Sequence, residues 1–231
     1  NFKEAVMGKN LTEIVYILDR SGSMSGLEAD TIGGFNSMIK KQKETGESAY
    51  VSTILFDGVS EVLHDRVEIG KIEKITDKEY FVRGNTALLD AVGGAIKHMG
   101  NIHKYAREED RPAKTIFVIT TDGMENASIK FGYSEVKRLI EKQKKKYGWE
   151  FIFIGANIDA CAEAQKFGIN EGRTVNYTYD KKGMGLVFEG ISKAVCSVMN
   201  AKTLYEAEEC LDEEEWKEEI ASDFLKRGKK R

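Results

Sequence analysis

Aspartate, serine and threonine side chains occur where turns follow apolar segments of the sequence. Asp19, Ser21 and Ser23 lie two residues apart, directly after the apolar run 13–18. A single turn can aim one carboxylate and two hydroxyls with this spacing at a common point, and Gly22 permits the tight backbone. Hard oxygen ligands of this kind suit Mg²⁺ or Mn²⁺, with Ca²⁺ as an alternative.

Two further segments offer oxygen ligands of the same kind. Asp122 follows the apolar run 115–120 and precedes a glycine, and Thr86 offers a hydroxyl at the start of a predicted helix. Each residue also fits a simpler role when taken alone, because Asp, Ser and Thr cap helices and Asp-Gly forms turns. The presence of all five oxygen-bearing residues favours a metal site over these separate roles.

Alternating strand-like and helix-like segments predict the scaffold that positions these residues. Strands are predicted at 13–18, 50–56, 60–67, 115–120, 149–154 and 173–177. Two of them are continuous apolar runs, which suit strands buried on both faces of a parallel sheet. The pattern predicts an α/β fold with a doubly wound, Rossmann-like, mainly parallel sheet of about six strands, and with helices on both faces.

The order of the segments predicts where ligands bind. The Asp57-Gly58 turn is a hairpin signal, so the third strand is expected to be antiparallel and at an edge. Doubly wound sheets bind ligands at the carboxyl ends of their strands, near the point where the strand order reverses. The loops after Leu18, Phe56 and Thr120 are therefore the predicted site.

These motifs together resemble the von Willebrand factor type A family, and in particular a bacterial-type, stand-alone, intracellular member. The family pattern is Asp-x-Ser-x-Ser, then Thr in a Gly-x-Thr context, then Asp in an apolar-Thr-Asp-Gly context. The sequence matches it, in order and over about residues 12–177, with Asp19, Ser21, Ser23, Thr86 and Asp122. The resemblance implies a complete metal-ion-dependent adhesion site (MIDAS), in which hydroxyls supply much of the coordination and an open position attracts an acidic side chain.

The expected function is therefore a divalent-metal-dependent protein–protein interaction module. A partner protein presenting Asp or Glu is expected to complete the metal site, and Arg20 and Met24, next to the ligands, are the predicted rim. Two alternatives stay open at this stage. One is a Mg²⁺-dependent hydrolase or phosphatase on a Rossmann-like sheet, and the other is a scaffold protein whose metal is incidental.

The sequence favours a protein that is not an enzyme. Phosphatases of the haloacid dehalogenase type use Asp-x-Asp after a first strand, with the second carboxylate as acid/base, but this sequence has Ser21 there. No dinucleotide fingerprint or Walker-type loop is present. His64, His98 and His103 show neither triad nor metal spacing, and His98 and His103 are interpreted as surface residues.

Composition limits the compartment and the partners. The formal net charge of −3 gives no electrostatic case for nucleic acid. Three widely spaced cysteines without a CxxC pair indicate reduced thiols. No apolar run has the length of a signal peptide or a membrane span. We expect a cytoplasmic protein without a membrane or nucleic-acid partner, acting as a monomer or as a subunit of a larger complex.

The composition changes near residue 200. Residues 1–200 are predicted to form the domain that resembles the family, and residues 201–231 an acidic and amphipathic helical extension that packs on it. Asp212 and Glu215 have the spacing of a capping box, and Trp216, Ile220 and Phe224 follow at helical spacing. The alternative for this extension is a helix that binds a partner.

Overall fold

A computed structural model describes residues 10–228 and places six strands of this region in one sheet. The strands are β1 (Thr12–Asp19), β2 (Ala49–Phe56), β3 (Ser60–Glu68), β4 (Lys114–Thr121), β5 (Glu150–Gly155) and β6 (Thr174–Asn176). Their order in the sheet is β3-β2-β1-β4-β5-β6. All neighbours are parallel except β2 and β3, which form an antiparallel pair at one edge. The predicted fold class, including the antiparallel edge strand, is confirmed.

Helices cover both faces of this sheet. They are α1 (Glu28–Glu44), α2 (Leu88–Tyr105), α3 (Tyr133–Tyr147), α4 (Ala160–Lys166), α5 (Lys181–Asn200), α6 (Leu204–Asp212) and α7 (Glu215–Arg227). One hydrophobic core joins the sheet to α1 and α5, with α6 and α7 packed around α5. A second core joins the other face of the sheet to α2, α3 and α4.

The central strand β1 shows why its sequence is apolar almost without interruption. Ile14, Tyr16 and Leu18 belong to the core under α1 and α5, whereas Val15 and Ile17 belong to the opposite core. Successive side chains of a strand point to opposite faces, so a central strand covered on both faces needs apolar residues at every position. The strand order reverses between β1 and β4, so the loops after these two strands diverge from one point.

Two glycines allow three helices to pack closely on one face of the sheet. A Cβ added at Gly34 of α1 would lie 2.2 Å from a ring carbon of Phe188 on α5. A Cβ at Gly190 of α5 would lie 2.5 Å from the carbonyl oxygen of Trp216 on α7. Glycine lowers the intrinsic stability of a helix, but at these two positions a larger residue would separate the helices.

The C-terminal extension packs on α5, but its helices begin elsewhere than the sequence suggests. Trp216 and Ile220 are buried in the core, and Phe224 is half-buried. The predicted capping box is wrong, because Asp212 ends α6 and its carboxylate pairs with Arg173 at 2.5 Å. The N-cap of α7 is Glu214, in the left-handed conformation with φ of 60°. The predicted domain boundary at residue 200 stays a prediction.

The interpretation of His103 as a surface residue is wrong. Its side chain is 1 % exposed and packs edge-on against the Trp149 ring, with centroids 5.1 Å apart. The reason is helical periodicity, since the buried face of α2 that contains Val92, Ile96 and Met99 extends to residue 103. His98 lies outside this face, is exposed, and pairs with Asp65 at 2.9 Å.

The three cysteines Cys161, Cys196 and Cys210 are free thiols. Between residues 10 and 228, no helix combines the length and the apolar character that crossing a membrane requires.

Lys114 joins the start of β4 to the end of α5. Its ammonium group is buried and donates hydrogen bonds to the carbonyl oxygens of Met199, at 2.7 Å, and Ala201, at 2.8 Å. A cation at a helix C-terminus satisfies carbonyl groups that have no partner within the helix. Burial lowers the pKa of Lys114 from 10.5 to about 8.

We predict that Lys114→Met lowers the free energy of unfolding at about pH 7 by ~1–3 kcal/mol, because two buried carbonyl groups lose their donor. The folded-state pKa of Lys114 lies below its ordinary value, so the unfolded state binds more protons between about 8 and 10.5. The stability of the wild type relative to Lys114→Met should therefore rise with pH across that window. Urea unfolding at several pH values measures this difference, with the exposed Lys78→Met as control. A difference that does not change with pH would contradict the prediction.

Candidate metal centre

The predicted metal ligands of β1 and β4 lie side by side at the carboxyl edge of the sheet. Asp19 is the last residue of β1, and its neighbour Leu18 is in register with Thr120 of β4. Asp122 follows β4 directly. The parallel pairing of the two strands thus brings together two carboxylates that are about a hundred residues apart in sequence.

A continuous chain of hydrogen bonds connects four of the five predicted ligands. The Asp19 Oδ1 atom accepts from the backbone N–H of Ser21 at 2.7 Å. The Oγ atoms of Ser21 and Ser23 are 2.9 Å apart, and Ser23 Oγ donates to Asp122 Oδ1 at 2.6 Å. One turn after β1 therefore places two hydroxyls between its own carboxylate and the carboxylate that follows β4, and Ser23 contacts the latter directly.

The fifth predicted ligand, Thr86, lies on the other side of Gly123. A Cβ added at Gly123 would lie 3.6 Å from Ser23 Oγ and 3.7 Å from Thr86 Oγ1. The two hydroxyl groups thus border the same small space beside Asp122. Thr86 is buried, and Asn126 fixes its backbone by accepting from Thr86 N at 2.9 Å and donating to Thr86 O at 3.0 Å.

One carboxylate oxygen in this cluster has no protein partner. Asp122 Oδ2 is buried and has no hydrogen bond within residues 10–228. A buried carboxylate oxygen without a donor or a cation is costly. Hard oxygen atoms on two carboxylates and neighbouring hydroxyls form a donor set that suits a divalent cation such as Mg²⁺ or Mn²⁺. The residues present therefore fit a metal ion.

Burial makes both carboxylates harder to ionise. Burial, together with the nearby charge of Asp19 and against the opposing hydrogen bond from Ser23, raises the pKa of Asp122 to about 6. Burial also raises the pKa of Asp19, against the opposing hydrogen bonds from Ser21 and Thr121. In the described part of the chain, no three His, Cys, Asp or Glu side chains form a cluster that could hold a metal. A metal here would depend on the hydroxyl groups.

The helix-capping roles that these residues could have had are not observed. The N-cap of α1 is Leu27 and that of α2 is Ala87, and neither helix has a side-chain cap hydrogen bond. Ser21 precedes a short 3-10 turn, Gly22–Met24, without capping it through its side chain. Neither Asp19 nor Thr86 is the N-cap of a helix.

Several residues that support the ligands were not predicted from the sequence. Thr121 donates through its hydroxyl to Asp19 Oδ2 at 2.6 Å, and Tyr80 donates to the Asp19 carbonyl oxygen at 2.6 Å. Thr121 precedes Asp122 in the apolar-Thr-Asp-Gly motif, so the sequence alone could have identified it as a residue of the site. Tyr80 and Asn126 carry no such signal, because their roles depend on contacts between distant segments.

The predicted rim residues Arg20 and Met24 are wrong, because both are buried. Arg20 is 0 % exposed and turns inward to Asp57 at the end of β2, donating from Nε to Asp57 Oδ2 at 2.9 Å. Met24 is 4 % exposed and belongs to the hydrophobic core under α1. Met124, two residues after Asp122, is 66 % exposed and is a better candidate for the rim.

Asp57 ties together the loops around the ligands. Its Oδ2 atom accepts from Arg20 and from Arg83 Nε at 2.8 Å, and its carbonyl oxygen accepts from Ala87 N at 2.8 Å. Burial alone would raise the pKa of Asp57, but hydrogen bonds from Arg83, Val59 N–H and Arg20 outweigh it and hold the pKa below its ordinary value. The segment containing Thr86 is therefore fixed to the segment containing Asp19.

Several solved structures have folds similar to that of this chain, and one of them is described as a von Willebrand factor type A structure. A von Willebrand factor type A structure from Catenulispora acidiphila is 15 % identical over 82 % of this chain and 43 % of its own, with a TM-score of 0.56. The PilB minor pilin from Streptococcus sanguinis is 12 % identical over 84 % of this chain and 63 % of its own, with a TM-score of 0.60. The chain thus has a von Willebrand factor type A fold.

A third similar structure is proximal thread matrix protein 1 from the mussel byssus, with a MIDAS motif occupied by zinc. It is 14 % identical over 83 % of this chain and 48 % of its own, with a TM-score of 0.55, so the chain spans about half the length of that protein. No protein-family model matches the chain, and no curated protein matches it.

We predict that Asp57→Asn lowers the free energy of unfolding by ~3 kcal/mol, because it leaves the buried Arg20 without its buried charged partner. The matched control is Glu61→Gln, which removes the other carboxylate on Arg20, at 2.7 Å, but from a side chain that is 53 % exposed. A surface partner of this kind contributes less than about 1 kcal/mol. Denaturant unfolding of both variants tests the difference, and equal losses would contradict the assignment of Asp57 as the main anchor.

Proposed function

We propose that this protein is a divalent-metal-dependent protein-binding module. The observation that carries the proposal is the unpartnered Asp122 Oδ2 atom at the end of the hydrogen-bonded chain from Asp19 through Ser21 and Ser23. Asp19, Ser21, Ser23, Thr86 and Asp122 would hold the cation. Mg²⁺ or Mn²⁺ is the expected metal, with Ca²⁺ as an alternative, since all of these ligands are hard oxygen atoms.

The charge of the ligand set supports a partner that is acidic. Hydroxyl groups bring no charge, and a metal bound by several of them together with two carboxylates retains affinity for a further anionic oxygen. When bound, the cation would supply an electrostatic anchor for an Asp or Glu side chain of another protein. The zinc-occupied MIDAS motif of the mussel protein supports the binding of a divalent metal by this fold.

The chain's own residues prepare the site for such a partner. Thr121 and the backbone of Ser21 hold both oxygen atoms of the Asp19 carboxylate in place. Asp19, Thr86 and Asp122 are buried, whereas Ser23 is exposed at the mouth of the site. A carboxylate from a partner would therefore approach on the Ser23 side. A single carboxylate contact is small, so the surrounding surface, including Met124, must add to the affinity.

We propose that the protein is not an enzyme. The histidines do not serve the site, because His64 lies on β3 beside Thr53, His98 pairs with Asp65, and His103 lies at the far end of α2. Ser21 stands where a phosphatase of the type considered above needs a carboxylate. Phosphate-ester turnover with Mg²⁺ that is lost in Asp19→Asn would support the hydrolase alternative. We also propose a reducing, cytoplasmic location, in keeping with the free cysteines.

We predict that Mg²⁺ or Mn²⁺ binds the wild type and that Asp19→Ala abolishes binding, because that side chain begins the hydrogen-bonded chain of ligands. A metal at about one hundred times its Kd should raise the Tm by about 5–10 °C, since it binds only the folded state. Titration calorimetry and thermal unfolding measure both effects. The matched control is Asp65→Ala, an exposed aspartate on the edge strand β3. Equal affinity in Asp19→Ala and the wild type would rule out this site.

We predict that capture of a protein partner from the source cell requires the metal and the hydroxyl of Ser23. Binding should be lost in chelator, and Ser23→Ala should weaken it at least about tenfold, which corresponds to ~1.4 kcal/mol. Ser25→Ala, which removes another exposed hydroxyl from the same loop, is the control and should bind like the wild type. Replacing the partner's critical Asp or Glu by its amide should have the same effect as chelator. A partner that binds equally well without metal would favour the scaffold alternative.

A further inference from the structure

A groove with a basic lining lies between α2 and α3, on the face of the sheet away from α5. This basic groove has a volume of about 400 Å³, and its charged lining residues are Lys97, Lys104, Arg138, Lys142 and Lys146. No carboxylate belongs to the lining. Glu135 pairs with Lys97 at 3.3 Å, but Arg138 and Lys142 form no ion pair with any residue between 10 and 228. The groove therefore presents uncompensated positive charge.

The floor of the basic groove contains an acceptor that has no donor. Gln143 is 6 % exposed, and its Oε1 atom forms no hydrogen bond within the described residues. Buried polar atoms almost always have a partner, so an orphaned one indicates a missing contact. A ligand for this groove should carry negative charge for the lysine and arginine side chains, and also a hydrogen-bond donor for Gln143.

The opposite charge is concentrated where α6 meets α7. Glu213, Glu214, Glu215 and Glu218 line a hollow of about 480 Å³, which we name the acidic corner. Glu214 pairs with Lys217 at 3.2 Å, whereas Glu213, Glu215 and Glu218 form no ion pair in the described part of the chain. The corner also contains donors, the Ser222 hydroxyl and the Lys226 ammonium, and the apolar Leu225, which is 63 % exposed.

We propose that the acidic corner of one copy of this chain faces the basic groove of a second copy, with the exposed Glu215 and Glu218 side chains reaching the lysine and arginine side chains of the groove. The two surfaces are built on opposite faces of the sheet, since α2 and α3 share one core and α6 and α7 the other. They cannot meet within one molecule. A contact between two different surfaces of identical chains is heterologous, so it runs head to tail and either closes into a ring or extends as a chain of copies.

The chemistry of the two surfaces favours a second copy over a simple phosphate ion. A fully ionised phosphate offers no donor to Gln143, whereas the acidic corner carries the Ser222 hydroxyl and the Lys226 ammonium beside its carboxylates. The formal net charge of the chain is only −3, so the separation of charge is local and does not reflect a basic protein. Complementary patches of this kind accelerate association and fix its orientation, and salt weakens them.

Sedimentation velocity of the full chain at about 0.02 M and about 0.5 M ionic strength tests the proposal, because salt screens exposed charges within about 10 Å at ~0.1 M. We expect the average mass to rise with concentration at low salt and to fall to that of the monomer at high salt. Arg138→Glu with Lys142→Glu, and separately Glu215→Lys with Glu218→Lys, should each weaken self-association at least about tenfold. Lys74→Glu with Lys78→Glu, two exposed lysines away from both surfaces, is the control and should behave like the wild type.

Mixing the two charge-reversed variants shows whether each variant has lost only its contact surface or has failed to fold. Each variant keeps one intact surface, so the mixture should form a one-to-one complex that cannot grow further. A wild type that stays monomeric at low salt and high concentration would overturn the proposal, as would a mixture that stays monomeric. Binding of an RNA oligonucleotide or of polyglutamate by a wild type that does not self-associate would show that the basic groove serves another class of partner.

Discussion

The structure of the candidate site depends on one electrostatic constraint, the burial of two carboxylates at the ends of neighbouring parallel strands. Asp19 and Asp122 are each 1 % exposed, and burial raises the pKa of both. Like charges in a site with little water repel each other and favour protonation. Hydrogen bonds from Ser21, Ser23 and Thr121 offset part of this cost, but Asp122 Oδ2 receives none. A cation would remove the remaining cost, so metal binding and the stability of the folded state are linked.

The loops around the two carboxylates are held from outside the site. Asp57 accepts hydrogen bonds from Arg20 and Arg83, and backbone hydrogen bonds join Gly22 to Gly84 and Ala87 to Asp57. These contacts fix the segment before Thr86 to the turn after β1. The segment after β4 is attached to α2 instead, through the Glu125 carboxylate, which accepts from Leu89 N at 2.8 Å. Asn126 joins the segment after β4 to Thr86 as well, so the three ligand loops belong to one network of hydrogen bonds.

The sequence was sufficient for the features that depend on local pattern. Continuous apolar runs identified β1 and β4, and the motif residues at their ends lie together as expected. Features that depend on contacts between distant segments were missed. Arg20 turns inward because Asp57, which is distant in sequence, lies beside it. Position 34 needs a glycine because the Phe188 ring leaves no room there for a side chain. The start of α6 had a readable signal in Thr203, whose hydroxyl accepts from Glu206 N at 3.0 Å, but the acidic composition of the segment obscured it.

The proposed self-association and the candidate metal centre use different parts of the molecule. The α2 residues that line the basic groove lie in the second half of that helix, whereas its first turn follows Thr86 at the carboxyl edge of the sheet. The glutamates of the acidic corner lie around the start of α7, whereas Phe224 and Arg227, near the end of that helix, share a hollow with Met124. Head-to-tail contacts would therefore leave the carboxyl edge of every copy open. An array of weak, metal-dependent sites on one assembly would bind a multivalent partner far more tightly than a single site, because each further contact becomes intramolecular.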